Sequence, residues 1–506
     1  MFGLKPIRVL CIVLVALASL AAQAEENTPS PHAASAASAK PPEGNPASHL
    51  PADSITQHTI SLGGRTLSYK ATAGTLPVIG PNGTITAKIF YVAYVLENAP
   101  ARPITFAFNG GPGASAAFVH MGAMGPRVVP FSDNGAEPVQ PVQIVDNPDS
   151  WLAFTDLVFV DPVGTGYSRA TEAGGENAFW GVDKDADSIT SFVTLYLARN
   201  NRELAPVYLA GESYGGFRAA LLSDRLLAKG VQLKGAVMIS PALEFSLMNR
   251  EDFTILPYTF VLPSLAAAHA EMRDGPKGPL DVVHEAESYA KTDYLVHLAS
   301  GLERHDAVIR KLTQLTGLDA DVIAKHHGRV SATLFMREYE KREDRAMSLY
   351  DATVSVPAPQ PEDHFHYDPL LEGAVTALRP AIVNYLQQEL GFRTDLEYQL
   401  LNGETNGHWD FGTRPGRQGY AGSADDLEKA RVRNLHLKIL IAHGYTDLVT
   451  PFGTSKYLVS QMRPIAGAVP IDVHVYRGGH MMYLRPSSRA ALSHDAQGLY
   501  QTETNP

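Results

Sequence analysis

The chain of 506 residues contains a single cysteine, Cys11, close to its amino terminus. One cysteine cannot form an intramolecular disulfide, and it cannot supply the clustered thiolates of a zinc or iron–sulfur site. Beyond residue 24 the sequence has no thiol at all, which excludes a cysteine nucleophile from the rest of the chain. Any covalent catalysis there must use hydroxyl, imidazole, amine or carboxyl side chains.

Long apolar runs and basic clusters are also lacking. The apolar run at residues 9–20 is too short to cross a bilayer comfortably, and no later run is long enough. The formal net charge is −11 and no basic stripe is present, which argues against nucleic acid and anionic membranes as partners. We therefore expect no nucleic-acid partner and no stable membrane insertion. Nothing in the sequence indicates an oligomeric state.

The first residues read as an export signal. Lys5 and Arg8 form a short basic start, an apolar stretch follows, and residues 22–24 form a small-x-small cleavage site. We predict a signal peptide over residues 1–24 and export to the periplasm or the medium, with an uncleaved anchor as the alternative. Residues 25–54 are rich in Ala, Pro and Ser and poor in large apolar side chains. We predict that they form a disordered linker.

Short apolar runs that end in Gly- or Pro-rich loops predict a buried, mostly parallel sheet. These predicted strands are Ile104–Phe108, Leu157–Val160, Val207–Ala210, Ala236–Ile239, Lys438–Ala442 and Ile471–Tyr476. They alternate with helical stretches such as residues 183–199, whose apolar side chains follow one helical face. We predict an α/β core over residues 55–245 and 430–506, interrupted by a mainly helical cap over residues 246–429.

A Gly-x-Ser-x-Gly motif follows the predicted strand that ends at Ala210. The motif reads Gly211-Glu212-Ser213-Tyr214-Gly215. A strand before it and a helical stretch after it are the context of the nucleophile elbow of α/β-hydrolases, in which the serine sits on a strained turn between glycines. We therefore predict an α/β-hydrolase fold with Ser213 as the nucleophile.

A serine hydroxyl needs a base to remove its proton, and hydrolases of this fold carry an Asp or Glu and then a His later in the chain. Asp447 follows the predicted strand at 438–442, and His480 follows the predicted strand at 471–476. We predict that His480 is the general base and that Asp447 orients its imidazole. A turn-forming aspartate and a surface histidine are the alternatives.

A glycine-rich loop at residues 109–113 follows the first strand of the predicted parallel set. In this fold such a loop supplies one oxyanion amide, and the residue after the nucleophile, here Tyr214, supplies the other. A phosphate-cradling loop is the competing interpretation, but the required Gly-Lys-Ser/Thr ending is missing. The sequence therefore predicts an oxyanion hole between this loop and Tyr214.

Five blocks of the sequence together resemble the serine carboxypeptidase family, in the family's order. They are residues 109–113, 161–168, 211–216, 444–447 and 479–480. The resemblance extends over roughly residues 80–245 and 435–485. It implies an α/β-hydrolase fold with a helical cap and the release of single amino acids from the C-termini of peptides.

The resemblance also implies roles for individual residues. It assigns the catalytic triad to Ser213, Asp447 and His480. It assigns the oxyanion hole to the amides of Gly111 and Tyr214. No metal and no other cofactor is implied.

A carboxypeptidase must also hold the terminal carboxylate of its substrate. The resemblance implies that Asn109, with Gly110 beside it, and Glu212 form this site. Glu212 can donate to a carboxylate only when it is protonated, because two carboxylates in contact repel each other. We therefore expect peptides to bind best under mildly acidic conditions.

The sequence departs from the family's pattern at Ala123, where better-known members carry a second acidic residue. His120 and Arg127 are candidate substitutes because they lie nearby in the sequence. The departure leaves the triad intact but favours an esterase or acyltransferase on the same machinery as the alternative to a carboxypeptidase. A binding protein that keeps the fold without the reaction is a second alternative.

Two histidine clusters, at residues 326–327 and 364–366, are candidates for metal binding. Neither has a third ligand at helical or ribbon spacing. We expect these side chains to lie on the cap surface or to form hydrogen bonds between loops, and we expect no metal.

Overall fold

The computed structural model describes residues 44–99, 102–248, 253–275, 279–357, 368–412 and 421–501. The predicted signal peptide, most of the predicted linker and the histidines at 364–366 lie outside the described residues. No helix within these ranges is both long enough and apolar enough to span a membrane.

Strands and helices alternate along much of the chain. The strands are β1 (Ser54–Leu62), β2 (Arg65–Ile79), β3 (Ile85–Leu96), β4 (Ile104–Phe108), β5 (Arg127–Val128), β6 (Val145–Asp146), β7 (Asp156–Val160), β8 (Arg169–Ala170), β9 (Val207–Glu212), β10 (Leu233–Ile239), β11 (Arg345–Met347), β12 (Ser355–Pro357), β13 (Lys438–Gly444) and β14 (Ile471–Tyr476). The α-helices are α1 (Ala117–Val119), α2 (Val182–Arg199), α3 (Tyr214–Ala228), α4 (Leu256–Asp274), α5 (Pro279–Lys291), α6 (Asp293–Ala299), α7 (Asp306–Thr316), α8 (Ala320–Lys325), α9 (Ala332–Glu343), α10 (Pro369–Asn384), α11 (Gly403–Gly407), α12 (Ala424–Arg433), α13 (Phe452–Gln461) and α14 (Pro486–Tyr500). Short 3₁₀ segments are Pro46–His49, Trp151–Ala153, Gly175–Ala178, Phe245–Leu247 and Met482–Leu484, and π-helical turns are His120–Met124 and Tyr385–Glu389.

Ten of the described strands form one sheet, in the order β1-β2-β3-β7-β4-β9-β10-β13-β14, with β8 paired to β3. From β7 through to β14 neighbouring strands run parallel. The strands β1, β2, β3 and β7 are antiparallel neighbours. The prediction of an α/β fold with a mostly parallel central sheet is confirmed.

The apolar composition of the central strands matches their burial. Every residue of β4, β7 and β9 is buried, as is typical of parallel strands covered by helices on both faces. Phe106 packs into the core cluster with α2 and α3, whereas Ala107 packs into the cluster with α10 and α14. Successive side chains of a strand point to opposite faces, so the sheet has a core on each side.

The predicted cap divides into two parts. Helices α4 to α9 pack around a core of their own, which extends to Ala352 and includes Leu448 from the sheet domain. In contrast, Leu370 of α10 lies in a core cluster of the sheet domain, and Leu427 of α12 packs with α3. The separate helical unit is therefore shorter than residues 246–429, because the later helices cover the sheet.

The end of the predicted linker packs on the core. Residues 46–49 form a 3₁₀ turn, which the Asn45 side chain caps by accepting the amide of Ala47. Ala47 and Leu50 are buried in the sheet domain. The prediction that disorder extends to residue 54 is therefore wrong for these residues. The average composition of residues 25–54 gives no indication that Ala47 and Leu50 pack on the core.

Candidate active site

The predicted nucleophile lies on a sharp turn between strand and helix. Strand β9 ends at Glu212 and α3 begins at Tyr214, so Ser213 alone connects them. Ser213 has φ 57° and ψ −122°, a strained conformation for a residue with a side chain. A Cβ on Gly211 would lie only 2.0 Å from the carbonyl oxygen of Gly215. The flanking glycines therefore permit this turn.

The sheet gathers the other predicted parts of the site at the same edge. Strands β4, β9, β13 and β14 are parallel, so the loops after their carboxyl ends lie on one side of the sheet. The glycine-rich loop follows β4 and Ser213 follows β9. Asp447 follows β13 and His480 follows β14. Residues that are far apart in sequence therefore share one site.

His480 and Asp447 form a buried pair. The Nδ1 atom of His480 lies 2.9 Å from Oδ2 of Asp447. The amides of Val449 and Thr450 donate to Oδ1 of Asp447 at 2.8 and 2.9 Å. These bonds fix the carboxylate so that its other oxygen faces the imidazole. With Nδ1 donating to Asp447, Nε2 is the nitrogen left to accept a proton.

The short segment of Ile239 and Ser240 connects the loop of His480 to the turn at Ser213. The hydroxyl of Ser240 donates to the carbonyl of His480 at 2.9 Å, and the amide of Ser213 donates to the carbonyl of Ile239 at 2.8 Å. In the described part of the chain, the side-chain hydrogen bonds of His480 go to Asp447 and Thr450, and none goes to Ser213. In hydrolases without a bound substrate, the hydrogen bond between the catalytic serine and its base is often long or misaligned.

The pKa of His480 suits a general base. Burial lowers this pKa, but the charge of Asp447, its hydrogen bond to the imidazole and the charges of Glu212 and Asp368 together raise it by more, so the net pKa lies above the ordinary value. A higher pKa strengthens the imidazole as a proton acceptor. Asp447 thus both bonds the imidazole of His480 and contributes to the rise of its pKa.

The glycine-rich loop lies against the start of α3. A Cβ on Gly110 would come within 2.4 Å of the Tyr214 amide nitrogen. Gly111 has φ +100°, which glycine adopts without strain. Tyr214 is the first residue of its helix, so its amide has no carbonyl partner within the helix. The loop and the helix start can therefore direct amides at a common point, as an oxyanion hole requires.

Glu212 is buried and accepts hydrogen bonds at both carboxyl oxygens. Asn109 Nδ2 donates to Oε2, and the hydroxyl of Tyr483 donates to Oε1 at 3.0 Å. Burial raises the pKa of Glu212 to about 7, although His480 and the two hydrogen bonds oppose this rise. The structure thus joins Asn109 to Glu212. Sequence reasoning missed Tyr483, which follows His480 by three residues and carries no motif.

Neither suggested substitute for an acidic residue at Ala123 is a free polar group. His120 stacks on Phe159 with ring centroids 4.1 Å apart, and burial lowers the pKa of His120 to about 3. It is therefore uncharged near neutral pH. Arg127 is paired with Glu389 at 3.2 Å.

Among the described residues, no three histidine, cysteine, aspartate or glutamate side chains form a cluster suited to a metal.

The inserted segment contributes a loop to the site that sequence reasoning also missed. This hairpin loop, residues 348–354, connects β11 to β12. The amide of His480 donates to the carbonyl of Tyr350 at 2.6 Å, and the two rings meet edge to face with centroids 5.1 Å apart. A Cβ on Gly479 would lie 1.9 Å from that carbonyl oxygen. Glycine therefore permits the close contact.

Asp351 joins the hairpin loop to the rest of the site. It accepts a hydrogen bond from the Thr446 hydroxyl at 2.7 Å, beside Asp447. It is also paired with Arg485 at 2.8 Å, and Arg485 is paired with Glu271 of α4 at 3.1 Å. The inserted segment therefore contacts the loops of both Asp447 and His480.

The comparisons with known proteins agree with the motifs. A family model described as serine carboxypeptidase matches residues 66–252. The resemblance to serine carboxypeptidases is confirmed. The match includes the glycine-rich loop and Ser213 but ends before Asp447 and His480. The roles of all these residues remain predictions.

Two curated relatives are serine carboxypeptidases from a slime mould and a fungus. Serine carboxypeptidase S10 family member 1 of Dictyostelium discoideum is 27% identical over 176 residues, which are 32% of this chain and 40% of the relative. Serine-type carboxypeptidase F of Aspergillus niger is 26% identical over 240 residues, which are 46% of this chain and 41% of the relative. The matches span less than half the length of either relative.

The prohormone-processing carboxypeptidase Kex1 of Saccharomyces cerevisiae has a similar fold. The comparison has a TM-score of 0.51 at 14% sequence identity and covers 85% of this chain and 91% of the other. At this identity the likeness establishes the fold alone. It confirms the α/β-hydrolase architecture predicted from the elbow motif.

Proposed function

We propose that the chain is a serine-type carboxypeptidase that releases C-terminal residues from peptides through an acyl-enzyme. The observation that carries this proposal is the buried carboxyl group of Glu212, which is bonded to Asn109 and adjoins the strained Ser213. A hydrolase of simple esters has no need for a carboxyl group of raised pKa next to its nucleophile. A carboxypeptidase can use one to hold the substrate's terminal carboxylate, because a protonated carboxyl group donates a hydrogen bond to it.

The proposed reaction uses the triad in two steps. The Oγ atom of Ser213 attacks the carbonyl carbon of the last peptide bond while Nε2 of His480 takes the serine proton. Asp447 stabilises the resulting imidazolium. His480 then gives the proton to the leaving amine, the C–N bond breaks and the amino acid departs. Water activated by His480 hydrolyses the ester that remains on Ser213.

The amides of Gly111 and Tyr214 are the proposed oxyanion donors. They would stabilise the negative charge that develops on the carbonyl oxygen in each tetrahedral intermediate. Asn109, Gly110 and protonated Glu212 would bind the terminal carboxylate on the leaving-group side. Protonation of Glu212 removes the repulsion between two carboxylates, and a pKa of about 7 permits it at mildly acidic pH.

Hydrolysis of an N-blocked dipeptide and of its C-terminal amide tests the proposal. We expect the free acid to be the better substrate below pH 7, because only it carries the group that Glu212 and Asn109 bind. Ser213→Ala should abolish both activities. Preference for the amide, or hydrolysis of simple esters alone, would contradict the proposal and favour an esterase or acyltransferase, which the alanine at position 123 also suggests.

We also propose that the protein is exported to the periplasm or the medium. The basic start, short apolar run and cleavage site within residues 1–24 support this proposal. Fractionation of expressing cells and amino-terminal sequencing test it. We expect a mature chain that begins at Glu25 outside the cytoplasm; an uncleaved chain confined to the cytoplasm would contradict export.

A further inference from the structure

Tyr483 is a buried tyrosine that contacts Glu212, the proposed carboxylate-binding residue, from a separate part of the chain. It lies in the 3₁₀ segment Met482–Leu484, just after His480, and its exposed fraction is 0%. Its hydroxyl donates to Oε1 of Glu212 at 3.0 Å. A Cβ on Gly122 would lie 3.0 Å from the tyrosine ring. The ring is therefore closely packed, and its hydroxyl has a fixed position.

The two oxygens of Glu212 are held differently. Oε1 accepts from Tyr483, whereas Oε2 accepts from Nδ2 of Asn109. Asn109 is itself fixed, because its Oδ1 accepts the amide of Val119 at 3.0 Å and its carbonyl accepts from Arg218 at 2.7 Å. The ionised carboxylate is thus paired at both oxygens.

We propose that Tyr483 is a positioning residue for recognition of the substrate's C-terminus: its hydroxyl holds Oε1 of Glu212 and sets the pH above which Glu212 no longer accepts a carboxylate. This inference deepens the proposed carboxypeptidase function and rests on it. Tyr483 acts through Glu212, so its removal should change the pH dependence of binding more than the chemical step.

The groups around Glu212 determine whether its pKa rises or falls when the Tyr483 hydroxyl is removed. The charge of His480 lowers the pKa of Glu212 and that of Asp447 raises it. Burial raises the pKa of both Tyr350 and Tyr483 well above their ordinary value, so both phenols stay neutral over the working pH range. The hydrogen bond from Tyr483 lowers the pKa of Glu212. Removing this bond therefore raises the pH at which Glu212 loses its proton.

The test is the pH dependence of KM in Tyr483→Phe. For a free-acid peptide, KM should rise as pH increases through the Glu212 titration. In Tyr483→Phe the midpoint of this rise should move up by about one pH unit, the size expected for loss of one hydrogen bond to a charged group. KM for the matching C-terminal amide should show no such midpoint in either protein. A purely structural role would lower activity on both substrates without moving the midpoint.

Tyr94→Phe is the matched control. Tyr94 is another fully buried tyrosine of the same core cluster, and its hydroxyl is bonded to His120 at 2.7 Å and to Tyr385 at 3.1 Å. Its loss removes a buried hydroxyl without touching Glu212. We expect the midpoint to stay at the wild-type pH in this variant.

An infrared titration separates failure of the inference from failure of the proposed function. The carboxyl band that disappears in Glu212→Gln reports the protonation of Glu212 without any substrate. We expect its midpoint to be higher in Tyr483→Phe than in the wild type. Equal midpoints in these two proteins would overturn the inference even if peptides are hydrolysed. A wild type with no preference for free acids would overturn the proposed function and the recognition role with it.

Discussion

Ser213 and its neighbouring glycines illustrate how a few residues determine the chemistry of the site. The serine has a positive φ of 57°, and the glycine-rich loop lies so close to it that side chains cannot be added without a shift in the backbone. The motif, together with the predicted strand before it and the helical stretch after it, was sufficient to predict this turn. Gly110 is packed as closely against the start of α3, so a side chain there disturbs the same turn.

Gly110→Ala should impair catalysis while the fold remains. The new Cβ would lie 2.4 Å from the Tyr214 amide nitrogen, so the loop and the helix start must separate and their amides would no longer converge on the oxyanion. We expect kcat/KM to fall by about 10²–10³, the cost of losing one oxyanion donor. Gly498→Ala is the control, because a Cβ there meets nothing within 4 Å. Wild-type kcat/KM in Gly110→Ala would contradict the proposed oxyanion hole.

The titrations of His480 and Glu212 predict different pH profiles for a free-acid peptide and for its C-terminal amide. His480 must be neutral to accept a proton, so activity on every substrate should fall as pH drops through its raised pKa. Glu212 must be protonated to bind a terminal carboxylate, so activity on free acids should also fall above about pH 7. The profile of kcat/KM should therefore be bell-shaped for a free-acid peptide and one-sided for its amide. Equal alkaline limbs for both substrates would contradict the role of Glu212.

At the scale of elements, the hairpin loop of the inserted segment supports the loops that carry Asp447 and His480. Arg485 is 2% exposed at its side chain and pairs with Glu271 of α4 and Asp351 of the hairpin loop. These bonds connect the helical unit to the sheet domain directly behind the site. The position of His480 therefore depends on a segment that lies more than a hundred residues away in the sequence.

Arg485→Met should destabilise the protein. The change leaves two buried carboxylates without one of their partners, although Arg477 still bonds Glu271 at 2.8 Å. We expect the free energy of unfolding to fall by about 3–5 kcal/mol, as measured by urea unfolding. Arg304→Met is the control, since its pair with Asp306 is 65% exposed on both sides, and we expect its unfolding midpoint to be unchanged. An unchanged midpoint in Arg485→Met would show that the hairpin loop is not held in this way.

The elements that the sequence predicts well are those defined by local patterns. Ile104–Phe108 and Ile471–Tyr476 have the predicted bounds, because short apolar runs between turn residues are typical of buried parallel strands. The packing of the inserted segment was harder to predict from the sequence. Its helices were expected, but no local pattern indicates that α10 covers the sheet or that Tyr350 contacts His480. Both contacts depend on packing between distant parts of the chain.

At the scale of the whole molecule, strand order explains why motifs scattered over the chain could be assigned to one site. Parallel strands place their carboxyl ends at one edge, so the order of motifs along the sequence carries spatial information. Tyr483 shows the limit of this reasoning. A tyrosine without a motif becomes relevant only when the structure shows its hydroxyl 3.0 Å from Glu212.

Mass spectrometry of a mixed peptide library, incubated with the protein at several pH values, shows where along a peptide the protein cleaves. We expect products shortened from the C-terminus by single residues, most abundant at mildly acidic pH and absent with Ser213→Ala. Cleavage within peptides, or release of residues that persists in Ser213→Ala, would contradict the proposed carboxypeptidase function.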